Sequence, residues 1–183
     1  MKTRSFLLAL NFIFVFGALT ASNTAMAQSN SKERKLVRDC KTAKEEFINT
    51  DGLMSSLFAN AYGYVIFPNV GKGGMGIGGA AGNGIVYDRG TIIGKAKLTQ
   101  LSIGFQFGGQ AYREVIYFET KADLDRFKEN KIEFSAQASA VAATAGASAN
   151  VKYKNGIMIF TQQKGGLMYE ASVGGQKFNY SSF

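Results

Sequence analysis

Sixteen residues from Asn69 to Gly84, NVGKGGMGIGGAAGNG, hold eight of the chain's 22 glycines. The order of the residues points to a strand. From Gly74 to Ala81, Met75, Ile77, Gly79 and Ala81 alternate with Gly74, Gly76, Gly78 and Ala80, and strand side chains point to opposite faces with period two. Such a strand has a mostly bare face that a backbone, a helix or a ligand can approach closely. Gly71-Lys72-Gly73-Gly74-Met75-Gly76 satisfies G-x-G-x-x-G. A dinucleotide site, however, needs those glycines to open a helix after a strand, and here the strand pattern continues. A P-loop fails as well, because Gly73 follows Lys72 where Ser or Thr is required. The run reads as scaffold.

The chain begins with an address. Lys2 and Arg4 precede an apolar stretch from Phe6 to Leu19, and Ala25-Met26-Ala27 forms an A-x-A cleavage site, the layout of a secretory signal peptide. Residues 1–27 are therefore expected to be removed before Gln28, leaving 156 of the 183 residues. After a polar lead-in over 28–31, residues 32–183 are expected to form a single domain. The expected location is periplasmic or secreted, in soluble form. Loss of Lys2 and Arg4 lowers the formal charge from +8 to +6. That excess favours an anionic partner, and export favours a membrane surface or envelope polymer over nucleic acid.

From Lys32 to Ile48 the apolar residues Leu36, Cys40, Ala43 and Phe47 recur at helical spacing. The opposite face carries Lys32, Arg34, Lys35, Arg38, Lys41 and Lys44, diluted by four acids. A second short helix is expected over Leu53 to Asn60, with Leu53, Met54, Leu57 and Phe58 on one face. Tyr64 to Phe67 reads as a strand ended by Pro68, the chain's single proline. The glycine strand follows, with Gly82-Asn83-Gly84 as its turn and Ile85 to Tyr87 as the return. Asp88-Arg89-Gly90 closes that strand, and Thr91 to Gly94 starts another. Leu101, Ile103, Phe105 and Phe107 alternate with polar or small residues, and Glu114 to Phe118 is strand-like. Thr120 with Asp123 marks a helix start. In Phe134 to Val151 the first half reads as a strand of small side chains, and Ala143 to Asn150 as a loop or flexible hairpin. Ile157 to Thr161, Leu167 to Val173 and Lys177 to Tyr180 complete the set. The expected class is α+β: N-terminal helices on a mostly antiparallel, barrel-like or sandwich-like sheet of about seven or eight strands.

Catalytic chemistry finds little to use. The chain has no histidine and one cysteine, which removes the usual hydrolase base and any internal disulfide. No G-x-S-x-G elbow occurs, and Glu114, Glu119 and Glu170 lie in or beside strands without forming a motif. No D-x-D-x-D-G loop suggests a metal. Neither cofactor nor metal is expected. Cys40, on the apolar stripe of the first helix, reads as a small buried hydrophobe. The basic face of that helix is the feature best suited to binding, because each cation near an anionic membrane contributes about 1 kcal/mol.

Three blocks in order resemble the SYLF domain family. They are Ile66-Phe67-Pro68-Asn69-Val70-Gly71-Lys72-Gly73-Gly74-Met75-Gly76-Ile77-Gly78-Gly79, then Gly104-Phe105-Gln106-Phe107-Gly108-Gly109-Gln110, then Gly166-Leu167-Met168 with Ser172-Val173-Gly174-Gly175. The resemblance covers Lys32 to Tyr180. It implies a non-enzymatic lipid-binding domain, since eukaryotic relatives bind phosphoinositide-containing membranes and some fungal relatives bind actin. Export disfavours actin and any particular headgroup, while anionic phospholipid in general survives as the ligand class. The expected binding residues are Lys32, Arg34, Lys35, Arg38, Lys41 and Lys44, with Lys72 beside the glycine strand. A protein partner in the cell envelope is the alternative.

Overall fold

A computed structural model describes residues 30–73, 77–103, 110–134, 139–164 and 170–183. Residues 30–50 are helical (α1), and the chain divides into two units between Val37 and Arg38. What is described of the first unit is helix alone. The second unit holds the rest of α1, two further helices and an eight-stranded sheet.

The elements after α1 are α2 (Met54–Asn60), β1 (Gly63–Gly73), β2 (Ile77–Asp88), β3 (Thr91–Ile103), β4 (Gln110–Phe118), α3 (Lys121–Lys128), β5 (Ser139–Ala142), β6 (Ile157–Gln163), β7 (Glu170–Ser172) and β8 (Gln176–Ser182). The sheet order is β7-β5-β6-β4-β1-β2-β3-β8. Every pairing is antiparallel except β5 with β6. The α+β expectation therefore holds, and the sheet is barrel-like. Its two end strands, β7 and β8, are separated in the chain by only Val173, Gly174 and Gly175, although no ladder joins them among the described residues. Gln176 on β8 reaches Glu114 on β4 at 2.9 Å across three intervening strands, so the sheet is curled upon itself. The stretch before β5 also lies beside β8: Phe134 N–H donates to the Gln176 carbonyl at 3.3 Å, and Gly175 N–H to the Phe134 carbonyl at 2.9 Å.

The period-two pattern divides each strand between two cores. Val65, Phe67, Val86, Leu98, Ile116 and Phe178 point inside the curl, where Phe127 of α3 closes on Phe178 with ring centroids 5.2 Å apart. Tyr64, Ile66, Ile85, Val115, Tyr117 and Phe160 are buried on the outer face. Residues of the second unit's helices cover them. Cys40 donates its thiol to the Ile66 carbonyl at 3.3 Å, and the Phe58 ring meets Tyr64 and Tyr117 edge-on at 5.1 Å each. Cys40, Ala43 and Phe47 are all buried, as their spacing requires. Leu53 departs from expectation: it sits at the α2 N-cap position and is half-exposed, while Met54 and Phe58 make the buried contacts.

Two turn assignments change. Pro68 does not end its strand; β1 runs through it to Gly73. The register slips by one residue between Ile66 and Val70 against β2, and between Phe67 and Val70 against β4. Such a bulge is where a residue without an N–H is tolerated within a sheet. Gly82-Asn83-Gly84 is likewise no turn but the middle of β2, paired with Leu98, Lys97 and Ala96. Its glycines serve close packing. A Cβ at Gly84 would lie 2.5 Å from the Ile66 carbonyl oxygen and 2.7 Å from the Phe67 ring. The visitor to this part of the bare strand is the protein's own phenylalanine.

Other expectations stand. Arg89 and Gly90, with φ of 47° and 81°, form the two-residue connection between β2 and β3, and positive φ at both positions suits a type I′ hairpin. Thr120 and Asp123 complete a reciprocal capping box on α3. The small-residue tract contains β5 and then a 3₁₀ turn over Ala147–Asn150 rather than an unstructured loop. The expectations for Gly74 to Gly76, Phe105, Phe107, Ser135 to Ala138 and Leu167 to Tyr169 lie outside the described residues.

Candidate functional site

The expected cations do not share one environment. Lys32, Arg34 and Lys35 are exposed in the helical stretch of the first unit, and Arg38 and Lys41 are exposed in the second unit's share of α1. Arg38 and Lys41 are three residues apart, hence neighbours on the helix surface. Lys44 is different. Its ammonium lies 4.8 Å from the Phe58 ring centroid and 5.3 Å from that of Tyr64, and donates to the Tyr64 hydroxyl at 3.3 Å. Partial burial lowers its pKa from the ordinary lysine value. This lysine tethers α1 to the aromatic layer beneath it. Lys72 is placed by its backbone, paired with Ala80 on β2 and Gln110 on β4 near the end of β1.

Cys40 is fully buried, and burial pushes its thiol up to about 12. A thiol so far from its thiolate form is a poor nucleophile, which agrees with a packing role. Asp51 follows α1 and is also buried. It accepts from the Ser148 backbone N–H at 2.8 Å, the Ser148 hydroxyl at 2.7 Å and the Leu53 N–H at 3.1 Å. Burial opposes its charge, but these hydrogen bonds together hold the carboxyl below its ordinary value.

A polar cluster occupies one end of the curled interior. Glu114 is wholly buried, and its Oε2 accepts from Gln176 Nε2, which also contacts the Tyr112 hydroxyl at 3.3 Å. Gln100, opposite Gln176 across β3 and β8, donates to the Gly174 carbonyl at 2.8 Å. Burial pushes the Glu114 carboxyl up to about 8, with the Gln176 hydrogen bond working the other way. Near neutrality it is therefore largely a protonated acid. Among the described residues its hydrogen-bond partner is the Gln176 amide, not the second carboxylate that two-acid catalysis needs. Among the described residues no group of three or more Cys, His, Asp or Glu is placed to hold a metal.

A cavity of about 470 Å³ opens beside α3, between the stretch before β5, the segment 151–155 and β6. Ile132, Phe134, Val141, Val151, Ile157 and Ile159 give it apolar walls. Arg126, Lys131, Lys152 and Lys154 stand around it with a single acid, Glu133. Arg126 is fixed by Asp123 at 2.6 Å and by the Asn155 carbonyl at 2.8 Å. The cavity was not visible in the sequence, because its residues come from five separate stretches.

Among the described residues no helix is long and apolar enough to cross a membrane. Residues 99–181 match the family model Ysc84, described as Las17-binding protein actin regulator. The chain is also 30% identical over 140 residues to beta cell expansion factor A of Aeromonas veronii, an alignment covering 75% of this chain and 52% of that protein. The chain thus spans about half the length of this relative. Over residues 99–181 the chain is thus similar to the Ysc84 (SYLF) family, in line with the resemblance carried by its glycine-rich blocks.

Proposed function

We propose that this chain is an exported, non-enzymatic protein that binds anionic phospholipid through the cations of α1. The observation carrying the reading is the exposure of Lys32, Arg34, Lys35, Arg38 and Lys41 while Cys40, Ala43 and Phe47 are buried. With its apolar stripe engaged by the protein, the second unit's part of the helix has charge rather than hydrophobic area to offer a membrane. Binding is then mainly electrostatic, about 1 kcal/mol for each cation at the surface. Lys44, held over the rings of Phe58 and Tyr64, takes no headgroup. Lys72, at the end of β1, is a further contact in this reading. The leader-like residues 1–27 and the formal charge of +6 without them support an envelope location, periplasmic or secreted. Actin is not the partner expected of an exported chain.

Cosedimentation with vesicles tests the reading. Phosphatidylglycerol vesicles are expected to bring the protein down at low salt and release it as salt shortens the Debye length from about 30 Å at 0.01 M to about 3 Å at 1 M. Phosphatidylcholine vesicles are expected to leave it in solution. Equal binding to both lipids, or binding that salt does not weaken, would refute an electrostatic headgroup site.

A further inference from the structure

We propose that the cavity beside α3 is a separate site for a single-chain amphiphile with an anionic head, its tail against Ile157 and Ile159 and its head at Lys152 and Lys154. The site lies wholly within the second unit and involves none of the α1 cations. Its ligand is one monomeric molecule rather than a bilayer surface.

The first support is the direction of the apolar wall. On β6, Ile157 and Ile159 pair with Phe118 and Ile116 of β4, whose side chains belong to the inner core. Residues opposite one another across a pair share a face, so both isoleucines point into the curl. Yet both are only half-buried, while Met158 and Phe160 on the outer face are buried. An inward isoleucine that is not covered faces a space the protein leaves open. Ile132 and Phe134 bound that space from the stretch leading to β5. At about 470 Å³ it lies within the usual range for small-molecule sites, about 300–1,000 Å³, which are mostly apolar with a few placed polar groups.

The second support is the charge around the cavity. Four cations face one acid, and that acid, Glu133, already pairs with Lys177 at 3.3 Å. Lys131 pairs with Glu129 at 2.7 Å, and Arg126 is held by Asp123. Lys152 and Lys154 are exposed and have no carboxylate partner among the described residues. Two unpaired ammonium groups beside an apolar cavity suit a phosphate or carboxylate joined to a hydrocarbon tail. Inorganic phosphate alone would leave the walls unused, and a neutral alcohol would leave the lysines unneutralised.

Isothermal titration of the full chain with octyl, decyl and dodecyl phosphate, each below its micelle concentration, tests the assignment. Decanoate, decanol and inorganic phosphate form the comparison arms. The expected result is one ligand per chain, with affinity rising by roughly fourfold per methylene as the tail is buried. Decanol and inorganic phosphate should bind at least tenfold more weakly than decyl phosphate. Decyl phosphate and decanoate arms distinguish the two head chemistries: a tenfold preference for either names the head, and equal binding assigns the site to anions of both kinds. The double variant Lys152→Glu/Lys154→Glu changes only exposed side chains and should lower affinity at least tenfold, whereas Arg34→Glu/Lys35→Glu/Arg38→Glu should leave it unchanged. Affinity independent of tail length, inorganic phosphate binding as well as decyl phosphate, or an unaffected double-lysine variant would each overturn the proposal. Because the helix variant is the one expected to lose vesicle binding, failure here is distinguishable from failure of the membrane reading.

Discussion

Gln176 donates a 2.9 Å hydrogen bond to the carboxyl of Glu114 from the far side of the curled sheet. This bond ties the last strand to the centre of the fold with a group that has no access to water. Its strength therefore depends on the state of one proton. Glu114 has a folded-state pKa raised to about 8 from an ordinary 4.5, so between those values the native state holds a proton that the unfolded chain releases. Stability must then fall as pH rises through that window. Urea melts at pH 5 and pH 8 are expected to give a lower midpoint at pH 8. In Glu114→Gln this part of the pH dependence should vanish. An unchanged slope in the variant would assign the titration elsewhere.

At the acid end the sign reverses. Asp51 has its pKa held below the ordinary value by bonds from Ser148 and Leu53, so its contribution is present above that value and lost as pH falls through the depressed one. Asp51→Ala leaves the buried Ser148 N–H and hydroxyl without this partner, and is expected to cost about 1–3 kcal/mol. Denaturant melts at pH 7 measure the loss, and the variant should show less further loss on acidification than the parent chain.

The glycines of β1 and β2 are not equivalent. At Gly84 a Cβ would strike the backbone of Ile66 and the ring of Phe67, whereas at Gly71 it would meet nothing within 4 Å. Gly84→Ala is expected to destabilise by about 1–3 kcal/mol through overpacking. Gly71→Ala should change stability by no more than about 0.5 kcal/mol, as exposed positions usually do. Thermal melts of the two variants check the contrast.

Cys40 should be silent towards thiol reagents while the protein is folded. Its sulfur is buried against the Ile66 carbonyl, with the thiol pushed up to about 12. Reaction with a chromogenic disulfide is expected to be negligible at pH 8 in buffer and complete in denaturant. Rapid native labelling would mean that α1 lifts from the outer face.

Most of the fold was legible where a local rule coincided with the tertiary environment. The spacing of Leu36, Cys40, Ala43 and Phe47 marks α1 because a helix on a sheet must bury one stripe, and Thr120 with Asp123 marks α3 because the capping bonds are local. Gly82-Asn83-Gly84 misled because its residues suit a turn, while the fact that keeps them in a strand, the position of Phe67, is distant in sequence. Pro68 misled similarly, since the bulge accommodating it depends on both neighbouring strands. Gln100, Glu114 and Gln176 lie on three different strands, and only the pairing of β3 with β8 and the curl of the sheet bring them together. Lys44 resembles the other lysines of its helix in sequence, and only the rings beneath it set it apart. The cavity had no local signature at all.

The central claim is that exposed cations of α1 bind anionic membrane. Its most direct measurement is cosedimentation of the parent chain and of Arg34→Glu/Lys35→Glu/Arg38→Glu with phosphatidylglycerol vesicles at low salt, after circular dichroism has matched their folds. The account expects the parent to pellet with the vesicles and the charge-reversed chain to stay in the supernatant. Pelleting of both chains to the same extent would contradict it.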